Sequence, residues 1–161
     1  MSKTKVLFVC LGNICRSPAA EAVFKNLVNK VGSNNSFFID SAATCDHHIG
    51  EKSDSRMRET ANKRGVEITS LGRQFTKGDF TSFDFIIVMD NSNFENIMKL
   101  SPSNEQIKKV SKMTDYCSEK FPDQDTVPDP YFGDMDGFEF VLDLLQDAST
   151  GLLTHINSKT V

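Results

Sequence analysis

The first strand–loop–helix segment of the chain restricts the possible folds more than any other feature. Thr4 to Val9 is rich in β-forming residues and continuously apolar from Val6, a pattern typical of a buried strand in a parallel sheet. Ser17 and Pro18 then predict the start of a helix, with Ser17 as the N-cap and Pro18 as the first helical residue. Apolar residues follow at helical spacing until Gly32, where we expect the helix to end.

The rest of the chain repeats this alternation of apolar runs and helical patterns. Further strands are predicted over 37–42, 83–89 and 110–113, further helices over 54–64, 91–100 and about 138–152, and a long loop over 116–136. Such alternation predicts an α/β fold, a four-stranded parallel sheet flanked by helices on both faces in a three-layer, Rossmann-like arrangement. With no repeat or linker in its 161 residues, we expect a single domain over 1–161.

Composition excludes several classes of function. The net charge of −4 gives no support for a nucleic-acid partner, which requires a clustered basic surface. The four cysteines match no zinc-ligand spacing, so we expect no metal and a reduced, cytoplasmic protein. The apolar run after Lys5 is too short for a secretion signal, and no stretch is long enough to cross a membrane, so no membrane partner is expected either.

The loop after the first strand has the composition of an anion site. Five residues separate Cys10 from Arg16, and a short loop at a helix N-terminus points backbone N–H groups inward. Arg16 adds a permanently charged fork that can hold two phosphate oxygens, and the same positive field favours a thiolate at Cys10. Cys10 is therefore the candidate nucleophile, with Ser17 as a hydrogen-bond donor to its sulfur. The loop residues expected to bind substrate are Leu11, Gly12, Asn13, Ile14, Cys15 and Ser17.

A second candidate lies near the C-terminus. A cysteine that takes a phosphoryl group from a phenol needs a general acid for the leaving oxygen. Asp129 is flanked by Pro128 and Pro130, which stiffen the loop and disfavour helix at Asp129. Tyr131 is expected to form an aromatic wall against a substrate ring.

Together these residues resemble the low-molecular-weight protein tyrosine phosphatases, most specifically in the string from Cys10 to Pro18 and in Asp129-Pro130-Tyr131. The resemblance implies Cys10 as nucleophile, Arg16 as phosphate clamp and Asp129 as general acid and then base, without a cofactor. It also implies that Glu21 helps to position Arg16. The expected substrates are phosphotyrosine proteins or small aryl phosphates, and the expected state is a monomer or weak dimer.

Two residues have alternative interpretations. His47 stands where the family usually has an aromatic residue, so His47 either lines the pocket or points into solvent. Cys15 is either a small apolar residue or a thiol that resolves an oxidised Cys10, which would make the protein redox-sensitive.

The sequence is also compatible with other functions. Arsenate reduction on the same fold requires a closely spaced downstream cysteine pair, and only Cys45 and Cys117 are present. Phosphoarginine phosphatases resemble this chain but carry Thr where Ile14 stands, and the apolar Ile14 favours an aryl phosphate. A nucleotide-binding module would need a Lys after the last Gly of its loop. A non-catalytic phosphate-binding module would not need both Cys10 and Asp129.

Overall fold

A computed structural model describes residues 2–159. Its core is a parallel sheet built from β1 (Thr4–Cys10), β2 (Phe37–Ala43), β3 (Phe85–Val88) and β4 (Val110–Lys112). The strand order is β2-β1-β3-β4, which places β1 between two neighbours. The predicted four-stranded α/β architecture is confirmed.

The helices are α1 (Arg16–Lys30), α2 (Ser55–Asn62), α3 (Asp79–Ser82), α4 (Asn91–Met98), α5 (Asn104–Ile107) and α6 (Met135–Lys159), with short 3₁₀ turns at Asn34–Ser36 and Met113–Tyr116. Helices α1 to α5 lie in the connections between consecutive strands, and α6 follows the last strand. The single-turn α3 and α5 were not predicted, because four residues are too few to show a helical period. Within residues 2–159, no helix is both long enough and apolar enough to cross a membrane.

Alternate residues of β1 pack into two different apolar clusters. Phe8 packs on one face with residues of α1 and α6, including Phe138. Leu7 packs on the other face with residues of α3 and α4, including Phe80 and Ile97. Because side chains of a strand alternate between faces, a continuously apolar strand requires apolar layers on both sides. This explains the three-layer arrangement.

The start of α1 differs from the prediction. The helix begins at Arg16 with Cys15 in the N-cap position, and no side chain caps it. Ser17 therefore lies inside the first turn, and its hydroxyl contacts Cys10 instead of a backbone N–H group of α1. Pro18 is still tolerated there, because the N–H groups of the first turn have no partner within the helix.

The carboxyl ends of the strands meet at one edge of the sheet. Cys10, the last residue of β1, pairs with Ala43 of β2. Met89, directly after β3, accepts a hydrogen bond of 2.9 Å at its carbonyl from the N–H of Val127. The first loop and the loop carrying Asp129 are therefore both held at this edge.

Candidate active site

Three hydrogen bonds converge on the sulfur of Cys10. The backbone N–H groups of Asn13 and Ser17 lie 3.3 and 3.4 Å from Sγ, and Ser17 Oγ lies 3.0 Å from it. The hydroxyl of Ser17 also accepts from Asn13 Nδ2 at 2.7 Å, which leaves its hydrogen available for the sulfur. All three groups can donate to the sulfur, and such donors stabilise a negatively charged sulfur both as a nucleophile and as a leaving group.

The side chain of Asn13 holds the loop in shape. Asn13 has φ of 57°, in the left-handed region that Asn tolerates better than most residues. Its Oδ1 accepts from the N–H of Arg73 at 3.1 Å, and its Nδ2 donates to Ser41 Oγ at 2.9 Å. With Ser17 as a third partner, the buried amide ties the loop to β2 and to the segment after α2.

The prediction for Glu21 was wrong. Glu21 Oε1 accepts from Ser41 Oγ at 2.6 Å, and the second oxygen pairs with Lys25. The carboxylate therefore supports Asn13 through Ser41 and does not contact Arg16.

Asp90 is the residue that positions Arg16. The Arg16 guanidinium is buried and donates from Nη1 to Asp90 Oδ2 at 2.7 Å and to the carbonyl of Val127 at 3.0 Å. Burial disfavours the guanidinium charge, but the Cys10 sulfur and Asp90 outweigh it, so the pKa of Arg16 lies above its ordinary value. Arg16 is thus held in one orientation as a permanent cation near the Cys10 sulfur.

Asp129 lies near the other terminal nitrogen of the Arg16 guanidinium. Asp129 Oδ2 is 3.8 Å from Arg16 Nη2, and Asp129 Oδ1 accepts from the N–H of Tyr131 at 3.1 Å. The carboxyl group is partly exposed, so it can reach a bound substrate. A turn closed by the N–H of Gly133 on the carbonyl of Pro130 follows at once. The proline-rich segment therefore presents the Asp129 carboxyl group from a hydrogen-bonded loop.

One pocket brings most of the predicted residues together. Its volume is about 160 Å³, and its lining consists of Cys10, Leu11, Gly12, Ile14, Cys15, Arg16, Cys45, His47, His48, Asp129, Tyr131 and Phe132. The other two predicted substrate-binding residues, Asn13 and Ser17, are buried and do not line the pocket. We therefore assign them a supporting position and not one on the pocket surface.

The residues that sequence reasoning missed fall into two groups. Cys45, His48 and Phe132 line the pocket beside residues that were predicted. Asp90 lies outside the lining but holds Arg16; its position directly after the third apolar run, at a strand carboxyl end, was a usable signal.

The segment containing His47 forms one rim of the pocket. His47 is exposed, whereas His48 is half-buried and pairs with Glu51 at 2.7 Å. His48 also lies against Gly12, where an added Cβ would come within 3.1 Å of its ring. Among residues 2–159, no group of three His, Cys, Asp or Glu side chains is arranged to hold a metal ion.

Cys15 combines features of both earlier interpretations. It lines the same pocket as Cys10 but is 3% exposed. Burial, followed by the charges of Asp54 and Cys10, raises the pKa of Cys15 far above its ordinary value. The Cys15 thiol is therefore protonated at neutral pH, and it forms a thiolate only when the pH rises or the loop opens.

We predict that hydrogen peroxide inactivates the protein and that dithiothreitol restores it. Oxidised Cys10 would be captured by Cys15 as a disulfide, and Cys15→Ser should reduce the recovered fraction. Because the pKa of Cys15 is raised, the rate of capture should increase with pH up to the alkaline limit of stability. The measurement is activity recovery after a peroxide pulse at several pH values. Equal recovery in both proteins would leave Cys15 as a packing residue.

Comparison with known proteins identifies the family. The family model for low molecular weight phosphotyrosine protein phosphatase matches residues 5–161. A Synechocystis sp. relative whose name places it among the low molecular weight protein-tyrosine-phosphatases is 45% identical over 157 residues, covering 98% of this chain and 99% of its own.

Two solved structures extend the likeness to the whole fold. A protein tyrosine phosphatase from Entamoeba histolytica superposes with a TM-score of 0.93 at 40% identity, covering 99% of this chain and 100% of that one. The drosophila arginine phosphatase has a TM-score of 0.86 at 32% identity, covering 95% and 98% of the two chains. The match spans the cysteine loop, the loop that carries Asp129 and the sheet between them, and the chain belongs to the low molecular weight phosphotyrosine protein phosphatase family.

Proposed function

We propose that this protein hydrolyses phosphotyrosine in proteins through a cysteinyl-phosphate intermediate. The observation that carries the proposal is the convergence of three donors on Cys10 Sγ, in the pocket that also contains the Arg16 guanidinium and the Asp129 carboxyl. A nucleophile, an anion clamp and an acid around one cavity are the parts that phosphoryl transfer to cysteine requires.

In the first step, the Cys10 thiolate attacks phosphorus and the bond from phosphorus to the phenolic oxygen breaks. Asp129 gives its proton to that oxygen as it leaves. The phosphoryl oxygens are held by the Arg16 guanidinium and by inward-facing N–H groups of the loop. Asp90 occupies only Nη1 of Arg16, so other N–H groups of the guanidinium remain for the phosphate.

In the second step, water attacks the phosphorus of the cysteinyl phosphate. Asp129, now ionised, takes a proton from that water, and the bond between sulfur and phosphorus breaks. The electron pair returns to Cys10 as a thiolate, which the Ser17 hydroxyl and the two N–H groups stabilise as it leaves. Inorganic phosphate is released and the resting enzyme is restored.

The position of Cys10 favours an aryl phosphate. The sulfur belongs to a residue that lines the pocket and is only 2% exposed, so a short phosphoserine side chain should reach it less easily than phosphotyrosine. Ile14 and Tyr131 give the walls an apolar character that suits a ring. His47, exposed on the rim, would contact residues flanking the phosphotyrosine. The four free cysteines fit a reducing compartment, and we propose the cytoplasm.

Phosphoarginine hydrolysis is a second candidate, because the drosophila arginine phosphatase shares the fold at 32% identity. We expect kcat/KM for a phosphotyrosine peptide to exceed that for phosphoarginine, since Ile14 offers no hydrogen bond to a guanidinium. Ile14→Thr should narrow the ratio by about tenfold, at the low end of the roughly 10–200-fold discrimination that a small change in pocket contacts gives.

The assay compares both substrates, with p-nitrophenyl phosphate as reference and a metal chelator present throughout. Unchanged turnover with the chelator is expected, because the proposed chemistry uses only groups of the protein and water. A higher kcat/KM for phosphoarginine would overturn the substrate assignment. Loss of turnover with the chelator would overturn the mechanism.

A further inference from the structure

Arg56, in the first turn of α2, links the loop that carries Asp129 to the cysteine loop. Its Nη2 donates to the carbonyl of Tyr131 at 2.9 Å, and its guanidinium carbon lies 5.5 Å from the centre of the Tyr131 ring. The same guanidinium lies 4.7 Å from the ring centre of Phe138, a fully buried residue of α6. Arg56 thus contacts the loop that carries Asp129 by a charge-assisted hydrogen bond and by stacking.

A second set of contacts fixes the orientation of Arg56 itself. Asp54 accepts from Arg56 Nε at 3.1 Å and from Nη2 at 2.8 Å, a two-point pairing that restricts rotation of the guanidinium. These hydrogen bonds hold the pKa of Asp54 below its ordinary value, so the pair stays charged at neutral pH. Asp54 in turn donates its backbone N–H to the carbonyl of Ile14 at 2.7 Å. Through Asp54, Arg56 is therefore anchored to the cysteine loop.

The link from Arg56 to the general acid passes through one residue. Tyr131 accepts from Arg56 at its carbonyl and donates its own N–H to Asp129 Oδ1 at 3.1 Å. Upstream, Val127 is fixed by hydrogen bonds to Met89 and from Arg16. Asp129 thus lies between two anchored positions, and the downstream anchor is Arg56.

We propose that Arg56 is a positioning residue for the general acid, holding Tyr131 so that Asp129 stays at a fixed place above the Cys10 loop. This inference rests on the proposed function, because it assumes that Asp129 protonates the leaving group. Arg56 is not among the residues that line the pocket around Cys10. Its removal should therefore impair proton delivery and leave the binding of phosphate intact.

Arg58 provides a matched control on the same helix. Arg58 donates from Nε to the carbonyl of Ser53 at 3.0 Å and lines a different cavity, away from the acid loop. Arg58→Met removes one positive charge from α2, as Arg56→Met does, without changing any contact to Tyr131. A general effect of helix charge or stability would appear in both variants.

The experiment measures kcat/KM for a series of aryl phosphates with leaving groups of increasing basicity. For Arg56→Met we expect kcat/KM to fall about tenfold with phenyl phosphate and less with p-nitrophenyl phosphate. Displacement of the general acid slows the reaction most when the leaving group is strongly basic. Inhibition by vanadate should stay within about threefold of wild type. Arg56→Lys keeps the charge but not the planar fork of donors, so its kcat/KM for phenyl phosphate should lie between those of wild type and Arg56→Met. In an Asp129→Asn background, Arg56→Met should have no further effect.

Two results would overturn the role of Arg56. One is an equal loss with every leaving group, which would indicate a merely structural contact. The other is a full, additive loss in the Asp129→Asn background. If Asp129→Asn steepens the dependence on leaving group and Arg56→Met does not, only the Arg56 inference fails. If Asp129→Asn itself leaves the dependence unchanged, the assignment of the acid fails and the Arg56 inference fails with it. Thermal unfolding of each variant separates these results from loss of fold.

Discussion

Cys10→Ser is expected to reduce turnover of p-nitrophenyl phosphate by about 10⁴-fold or more while vanadate and phosphate still bind. A serine hydroxyl is a poor nucleophile without a base to remove its proton. The oxyanion cradle does not depend on the sulfur, because the loop shape is held by Asn13 through Ser41 and by Arg73. Phosphate affinity within about threefold of wild type is therefore expected.

The measurement pairs steady-state turnover with mass spectrometry of enzyme quenched during the reaction. Wild type should show a phosphorylated peptide containing Cys10, and the serine variant should show none. Cys117→Ser is the matched control, since Cys117 lies outside the pocket lining. Turnover by Cys10→Ser near the wild-type rate, or a phosphorylated residue other than Cys10, would contradict covalent catalysis at this position.

The local part of the site was predictable because it is encoded in one short segment. The order of strand, loop and helix brings Cys10 and Arg16 to the carboxyl edge of the sheet without information from the rest of the chain. The loop around Asp129 was predictable for a similar reason, since Pro128 and Pro130 mark a stiff turn there. In both cases residue type and local backbone chemistry were sufficient.

Contacts between distant segments were not predictable. Asp90 caps α4 by accepting from the N–H of Asn93, and its second oxygen holds Arg16. The second of these partners is 74 positions away in the chain, and no local pattern indicates it. Glu21 was assigned to Arg16 wrongly for the same reason, because the face of α1 that it occupies is directed at β2, where it meets Ser41.

The N-cap assignment failed because two functions competed for one hydroxyl. Ser17 has the chemistry of a cap, but its hydroxyl is used by Cys10 and Asn13. Helix α1 consequently starts without a side-chain cap, which ordinarily costs about 1 kcal/mol. The loss of a stabilising cap at one residue next to Cys10 is typical of a position constrained by function.

Asp129→Asn is expected to lower kcat/KM for phenyl phosphate by about 10²–10⁴, the usual contribution of a positioned acid. The substitution keeps an oxygen that can accept from the N–H of Tyr131, so the loop should retain its shape. It removes the negative charge 3.8 Å from Arg16, so phosphate should bind as well as before or slightly better. The loss should be smaller for p-nitrophenyl phosphate, whose leaving group needs less protonation.

The pH profile gives an independent readout of the same assignment. Catalysis by an acid falls as pH rises and the acid loses its proton, so wild type should show an alkaline limb in kcat/KM. Asn has no proton to lose, and the limb should flatten in Asp129→Asn with phenyl phosphate. Profiles should be measured with both substrates over the range in which the fold is intact. A loss that is the same for both leaving groups, with the alkaline limb unchanged, would show that Asp129 stabilises the loop and that the proton comes from another group.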